Sequence, residues 1–220
     1  MKKLKTSGQV LVFVAHADDE TIGCGGYIPI LTERGYSVTV AVASCGRFAR
    51  GDQEIDNRPH AIEACRILGV EDIHFLDLED QRFEQYGTRE IVGRLDGLGL
   101  EPGLILTHCG RDLNRDHRVI HEIALIYARP LTRRIRVLGC EIINSAEFAG
   151  DAFRPNYYVD IEQTLEAKKQ AFGCYGNEAR PFPHPYSIEG LEVKARQRGL
   201  EVGLPFAEAY QVIRWFDGPS

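Results

Sequence analysis

Short runs of apolar residues alternate along the chain with segments in which apolar residues recur at helical spacing. The first run fills residues 10–14, and apolar residues then recur at positions 22, 27, 28 and 31, which predicts a helix to about residue 34. By the same criteria, strands are predicted over 37–43, 73–76, 103–107, 137–143, 157–161 and 209–216, and helices over 58–68, 89–98, 119–127, 162–175 and 188–199. Strands that are apolar throughout are typical of a parallel sheet covered on both faces. The pattern therefore predicts an α/β fold with a mostly parallel sheet.

A polar cluster directly follows the first predicted strand and consists of His16, Asp18, Asp19 and Glu20. Ligands of open α/β sheets bind beyond the carboxyl ends of the strands. Neighbouring acids repel one another, and a bound cation relieves that repulsion. His16 and Asp19 are three positions apart at a strand-to-helix turn, so both can reach one metal ion. An imidazole and a carboxylate are suitable ligands for zinc. Asp18 then stays free to accept a proton from a metal-bound water. The alternative is that Asp18 and Asp19 only cap the following helix.

A second polar cluster follows the predicted strand over residues 103–107 and contains His108, Asp112, Asn114, Asp116 and His117. Because parallel strands end at the same edge of a sheet, we expect the two clusters to meet there. His117 is the predicted third ligand, with Asp116 or Asp112 as the carboxylate that orients it. His108 and His121 are the alternatives to His117, and His121 is expected mainly to face solvent.

Two motifs in these clusters, Ala-His-Ala-Asp-Asp-Glu over residues 15–20 and Asp-Leu-Asn-Arg-Asp-His over 112–117, resemble those of the LmbE-like/PIG-L family of metal-dependent de-N-acetylases. Segments 75–83, 155–160, 183–185 and 207–209 are also similar to bacterial members, so the resemblance covers nearly the whole chain. It implies that zinc is held by His16, Asp19 and His117, with Asp18 as the general base. These roles agree with those derived from the residues themselves.

The chain departs from the family motifs at three positions. Ala17 stands where proline is usual, which removes no ligand. Asn114 stands where many members carry a second histidine that helps to stabilise the tetrahedral intermediate, so that role is expected to fall to Asn114, to His184 or to zinc alone. Tyr186 replaces an arginine of the tail motif, which places any contact with an anionic substrate there in doubt.

Two further residues are candidates for substrate binding. The resemblance implies that Arg58, at the start of a predicted helix, reaches the active site, and the alternative is a surface arginine paired with Glu63 or an aspartate. Asp80 lies just beyond the third predicted strand, where we expect it to support the metal site or to contact a sugar hydroxyl. Residues 44–56 are predicted to form a long loop, and loops of that length in a compact domain are usually functional.

Composition excludes several classes of protein. At 220 residues and 44% hydrophobic content, we expect a single domain over residues 1–220. The net charge is −6 and the only basic cluster is Lys2, Lys3 and Lys5, which argues against nucleic acid as a partner. No apolar run approaches the roughly 20 residues of a membrane span, and we expect no signal peptide. Six scattered cysteines predict reduced thiols in a cytoplasmic protein, although Cys109 beside His108 is a remote candidate for a thiol nucleophile.

The expected fold is a Rossmann-like three-layer α/β/α sandwich with a mostly parallel sheet. The expected reaction is hydrolysis of the N-acetyl group of an N-acetylglucosamine-type conjugate, with Zn²⁺ as the cofactor and acetate as a product. The expected partner is a small-molecule N-acetylated amino sugar conjugate, and homo-oligomers are left open. Two alternatives also stay open: a zinc amidohydrolase acting on another amide, such as that of a thiol-sugar conjugate, and a non-catalytic sugar-binding relative.

Overall fold

The structure is a computed structural model that describes residues 8–51, 53–130, 134–143, 145–150 and 152–217. Its strands are β1 (Gln9–Val14), β2 (Ser37–Ser44), β3 (Arg47–Arg50), β4 (Gln53–Asp56), β5 (Asp72–Leu78), β6 (Leu104–His108), β7 (Arg136–Cys140), β8 (Tyr157–Asp160) and β9 (Ala207–Arg214). Its helices are α1 (Asp19–Cys24), α2 (Tyr27–Glu33), α3 (Arg58–Ile67), α4 (Thr88–Asp96), α5 (Arg115–Tyr127), α6 (Ser145–Phe148), α7 (Leu165–Gly173) and α8 (Ile188–Leu200). A 3-10 helix, Phe83–Gln85, follows β5.

Seven strands form the central sheet in the order β5-β2-β1-β6-β7-β9-β8. The pairs from β5 to β7 are parallel, and β9 is antiparallel to both β7 and β8. Val10, Val12 and Val14 of β1 pack in the core on one face of the sheet, whereas Leu11 and Phe13 pack in the core on the other. The prediction of a mostly parallel sheet between helical layers is confirmed.

The order of the strands reverses between β1 and β6. From β1 the chain continues outward to β2 and β5, and it then returns to β6 on the other side of β1. Ligand sites of open α/β sheets lie at such a reversal, in the crevice beyond the carboxyl ends of the two strands. The two polar clusters predicted from the sequence follow these two strands.

The first predicted helix is two helices, so the prediction of one continuous helix to about residue 34 is wrong. The break falls at Gly26, whose N–H donates to Glu208 Oε1 at 2.7 Å, while the N–H of Tyr27 donates to Glu208 Oε2 at 2.8 Å. A carboxylate from β9 thereby takes the amides that begin α2. A Cβ at Gly26 would also lie 2.6 Å from Ile161 Cγ2, so glycine lets the chain approach closely at the break.

The predicted loop over residues 44–56 is largely a hairpin, which corrects that prediction. Strands β3 and β4 pair antiparallel, with Arg47 opposite Asp56. Their side chains also contact, with Arg47 Nε 3.2 Å from Asp56 Oδ2. The hairpin projects from the carboxyl end of β2 and so lies at the same edge of the sheet as the polar clusters.

None of the six cysteines forms a disulfide bond. Among the described helices, none combines the length and apolar character that crossing a bilayer demands.

Candidate functional site

Three ligand-type atoms from two distant segments meet beyond the carboxyl ends of β1 and β6. His16 follows β1, Asp19 begins α1, and His117 lies in the first turn of α5. His16 Nδ1 lies 3.3 Å from His117 Nε2 and 3.4 Å from Asp19 Oδ2, and His117 Nε2 lies 3.4 Å from Asp19 Oδ2. The three atoms therefore form a nearly equilateral triangle.

The triangle has the dimensions of a zinc site. Two atoms that bind zinc tetrahedrally at about 2.0–2.1 Å lie about 3.3–3.4 Å from each other. Two imidazole nitrogens and one carboxylate oxygen are donors that zinc accepts, and three protein ligands leave one position open, as in catalytic zinc sites. Although burial raises the pKa of Asp19, the charges of His117 and His108 hold that pKa well below its usual range. The donor atoms, their spacing and the ionised carboxylate all fit one divalent ion.

Two carboxylates hold the other nitrogen of the His16 ring. His16 Nε2 lies 2.9 Å from Asp80 Oδ1 and 3.1 Å from Asp116 Oδ2. Asp116 is itself fixed, because it accepts the N–H groups of Gln81 and Phe83 at 2.8 and 3.2 Å. Burial lowers the pKa of His16, but the hydrogen bonds with these acids raise it well above the usual value. Such contacts fix the orientation of the ring and leave Nδ1 facing the triangle.

His117 is held in a similar way by Asp112, because His117 Nδ1 lies 3.0 Å from Asp112 Oδ2. The same carboxylate accepts the Ser145 hydroxyl at 2.8 Å and the Asn114 N–H at 2.8 Å. The sequence left open whether Asp112 or Asp116 orients His117. In the structure Asp112 contacts His117, whereas Asp116 contacts the other histidine, His16.

Neither alternative histidine replaces His117 in the triangle. His108 is fully buried, and its Nε2 accepts the N–H of Ala15 at 2.9 Å, so this nitrogen is already occupied. Its ring stacks on His117 with centroids 4.1 Å apart and planes 10° apart, and burial lowers the pKa of His108 to about 3. The Nδ1 atom of His121 lies 2.9 Å from the carbonyl oxygen of His108. His121 is half-buried, so it lies partly in solvent on the helix while this contact ties its ring to the backbone.

Asp18 does not cap the following helix, contrary to the alternative considered from the sequence. Its side chain makes no capping hydrogen bond with α1, although it occupies the N-cap position. Its backbone has a φ of 139°, which is rare for a residue with a side chain. Burial and the charges of Asp19 and Glu20 raise the pKa of Asp18 well above the usual value. Asp18 is thus buried beside the triangle, and no capping bond occupies its side chain.

A cavity of about 390 Å³ is bordered by all three triangle residues and by Asp18. Asn114 and Asp80 also line it, as do residues with no predicted role, among them Arg47, Asn57, Ser145, Glu178 and Tyr186. Asn57 Nδ2 donates to Glu178 Oε1 at 3.3 Å across 121 positions of sequence. No local pattern joins such residues. Tyr186 did carry a signal, since it departs from the tail motif.

Two predicted site residues lie outside this cavity. The guanidinium of Arg58 binds Asp56, with Nε 2.9 Å from Oδ1 and Nη2 2.6 Å from Oδ2. The geometry thus matches the alternative of an arginine paired with an aspartate, and not one that reaches the site. His184 is exposed, and its Nδ1 accepts the N–H of Tyr186 at 3.0 Å. It is therefore Tyr186, and not His184, that the proline-rich segment presents to the cavity.

Comparisons with known proteins identify the family and the fold. The PIG-L family model, described as GlcNAc-PI de-N-acetylase, matches residues 11–128, which is more than half of the chain. A probable N-acetyl-alpha-D-glucosaminyl L-malate deacetylase 2 of Bacillus subtilis is 28% identical over 94% of this chain and 98% of that protein. The N,N'-diacetylchitobiose deacetylase of Pyrococcus horikoshii has a TM-score of 0.77 at 20% identity, covering 97% of this chain and 86% of that one.

The 4-carboxy-2-hydroxymuconate hydratase of Pseudomonas putida has the same TM-score, 0.77, at 21% identity, covering 97% of this chain and all of that one. At such identities the structural likeness establishes the fold alone. The family is established by the matched model, which covers more than half of the chain. The chain therefore belongs to the PIG-L family.

Proposed function

We propose that this protein is a zinc-dependent hydrolase that removes the N-acetyl group from an N-acetylglucosamine-type conjugate and releases acetate. The observation that carries the proposal is the triangle of His16 Nδ1, Asp19 Oδ2 and His117 Nε2, with sides of 3.3–3.4 Å, beside the buried carboxylate of Asp18. The malate-conjugate deacetylase of Bacillus subtilis, similar over nearly its whole length, supports the class of substrate.

His16, Asp19 and His117 would hold the ion. When bound, such an ion lowers the pKa of a water molecule in its open position and polarises the amide carbonyl. The contacts of Asp116 and Asp80 with His16 Nε2, and of Asp112 with His117 Nδ1, keep both rings turned toward one point. These carboxylates therefore act on the reaction through the two histidines.

Asp18 would move the proton. Its carboxylate lines the cavity and makes no capping bond, so it is available to accept a proton from the attacking water. The same group can then donate that proton to the nitrogen of the leaving amine, which makes the amine a better leaving group. The reaction thereby breaks the amide C–N bond, and the acetyl carbon gains the hydroxyl oxygen.

A hydrogen-bond donor near the carbonyl oxygen would stabilise the negative charge that develops there. Of the two residues predicted for this role, Asn114 lines the cavity and His184 does not. The Oδ1 atom of Asn114 accepts the N–H of Asp116 at 2.9 Å, which leaves its NH₂ group as the donor. Tyr186 lines the same cavity and offers a hydroxyl donor. Asp80, which lines the cavity and is partly exposed, is the proposed contact for a sugar hydroxyl.

The experiment is a measurement of acetate release from a panel of N-acetylglucosamine conjugates by the purified protein, before and after treatment with a chelator. We expect release that the chelator abolishes and that added zinc restores. Asp18→Ala should keep the metal but lose turnover, whereas the control Asp96→Ala, at an exposed position on α4, should behave like the wild type. An active D18A enzyme would refute the proposed proton transfer.

The panel also separates the remaining candidates. Turnover of thiol-sugar conjugates alone would favour the alternative amidohydrolase, and binding without release of acetate would favour a sugar-binding relative. A hydratase shares the fold with an equal TM-score, so hydration of an unsaturated carboxylate is the other reaction to assay. The family model favours the deacetylase.

We also propose that residues 1–220 form one catalytic domain, since β1 and β9 belong to one sheet. A cytoplasmic location stays a prediction.

A further inference from the structure

The backbone of Asp18 adopts a conformation that a residue with a side chain rarely takes. Its φ is 139° and its ψ is −27°. Conformations of this kind cost free energy and persist only where surrounding contacts enforce them, and they are frequent at active sites. Without such contacts, Asp18 would be expected to adopt an ordinary N-cap conformation and to bond the first amides of α1 with its side chain.

One contact that keeps Asp18 from adopting the ordinary N-cap conformation comes from Glu20, which is fully buried. Glu20 Oε2 accepts the N–H of Asp18 at 3.0 Å. Glu20 Oε1 accepts two hydroxyls, those of Thr21 and Tyr175, each at 2.6 Å. In a capping box, the residue that bonds the N-cap N–H is a glutamate at the third helical position. Glu20 stands at the second position of α1 and bonds the same N–H, while the Asp18 side chain makes no capping bond.

Tyr175 anchors the Glu20 carboxylate to a distant part of the fold. It lies 155 positions from Glu20, just after α7, and is itself fully buried. Its ring stacks with that of His60 on α3, with centroids 6.3 Å apart and planes 23° apart. Thr21, in contrast, belongs to the same turn as Glu20 and cannot fix that turn relative to the rest of the protein. The carboxylate is therefore positioned mainly by Tyr175.

We propose that Glu20 is a positioning residue for Asp18: its carboxylate, anchored by the Tyr175 hydroxyl, holds the Asp18 amide so that the positive φ is kept and the Asp18 side chain faces the cavity. The inference rests on the proposed function, in which Asp18 transfers the proton. The competing explanation is that Glu20 only stabilises the start of α1, as acids in a first turn commonly do. That explanation predicts an effect on stability but none on the geometry of Asp18.

The test compares Glu20→Gln, Tyr175→Phe and the matched control Thr21→Val in zinc-loaded enzyme. Glutamine has one acceptor oxygen in place of two, so it cannot accept the Asp18 N–H and both hydroxyls, those of Thr21 and Tyr175, in the way that Glu20 does. Y175F removes the anchor, whereas T21V removes a hydroxyl bond of the same length and leaves the anchor intact. We expect E20Q to lower kcat by about tenfold or more, with KM and zinc content within about twofold of the wild type, because small misplacements of a reacting group cost up to about 10²-fold. Y175F should have a smaller effect in the same direction, and T21V should stay within about twofold.

A double-mutant cycle with Asp18→Asn distinguishes positioning from a general loss of structure. If Glu20 acts through Asp18, the residual kcat of D18N/E20Q equals that of D18N within about twofold. An undiminished effect of E20Q in the D18N background, or a wild-type kcat for E20Q, would overturn the inference. If E20Q does not fold, Y175F and T21V carry the same comparison, and equal kcat values for the two would count against the proposal.

A readout without turnover separates this inference from the proposed function. In a crystal structure of E20Q, or of Y175F, we expect Asp18 to take a negative φ and to turn its carboxylate toward the first amides of α1. An unchanged positive φ in these variants would overturn the positioning role even if the enzyme deacetylates sugars. Conversely, a wild-type protein that releases no acetate from any conjugate would refute the proposed function and leave this structural test standing.

Discussion

The substitution Asp116→Asn tests whether the contact behind His16 sets the affinity for the metal. Asp116 is buried and accepts the backbone N–H groups of Gln81 and Phe83 in addition to contacting His16 Nε2 at 3.1 Å. Asparagine keeps the shape but replaces one acceptor oxygen by an NH₂ group. One buried donor should then lose its partner, which costs about 1–3 kcal/mol of the free energy of unfolding. Loss of a carboxylate behind a metal-binding histidine also weakens metal affinity by about 10–100-fold.

The two effects are measured separately. Zinc affinity is obtained by competition with a chromophoric chelator, and the free energy of unfolding by urea titration of the metal-free protein. Asp80→Asn is the matched comparison, because Asp80 Oδ1 lies 2.9 Å from the same His16 nitrogen but its side chain is 20% exposed, so water can replace it. We expect a weaker loss of affinity in D80N than in D116N. A D116N protein that is less stable but binds zinc as tightly as the wild type would show that Asp116 supports the loop and not the ligand.

Three further predictions concern the cavity and the core. Tyr186→Phe should lower kcat by about tenfold at unchanged KM, because a hydrogen-bond donor near the carbonyl oxygen of the substrate is lost. The measurement is steady-state kinetics, and the control is His184→Ala, whose kcat should stay within about twofold of the wild type. Asn114→Ala should lower both kcat and the thermal midpoint, since it removes the cap of α5 and about 1 kcal/mol of stability; an unchanged midpoint would contradict the capping role. Lys168→Met should lower the free energy of unfolding, measured by urea titration, by about 3–5 kcal/mol. The reason is that the buried Glu208 loses the ammonium group that lies 2.5 Å from its Oε1 atom. A loss below about 1 kcal/mol would show that this ion pair contributes little to stability.

The sequence was sufficient for the parts of the site that depend on local pattern. Two apolar strands that each end in a polar cluster had to meet at one edge of a parallel sheet, and β1 and β6 are indeed neighbours. The spacing of His16 and Asp19 at a strand-to-helix turn brought both to one point, and His117 joined them from the second cluster. These inferences needed only the geometry of strands and helix starts.

Features that depend on contacts between distant segments could not be predicted. The break at Gly26 results from Glu208, which lies 182 positions away, so the apolar periodicity alone indicated one helix. Asp112 and Asp116 are nearly adjacent in sequence, yet they contact different histidines because Asp116 begins a helical turn and Asp112 precedes it. Equally, the tail motif marked Tyr186 as a departure but did not indicate that Tyr186 lines the cavity while His184 is exposed.

The proposed metal site is tested most directly by anomalous diffraction at the zinc absorption edge, from crystals of the protein loaded with one equivalent of zinc. We predict a single peak within about 2.0–2.1 Å of His16 Nδ1, Asp19 Oδ2 and His117 Nε2. Its occupancy should persist in D18A and vanish in His117→Ala. The proposed site would be contradicted by a peak between His16, Asp80 and Asp116, where a second set of ligand atoms converges, or by the absence of bound zinc.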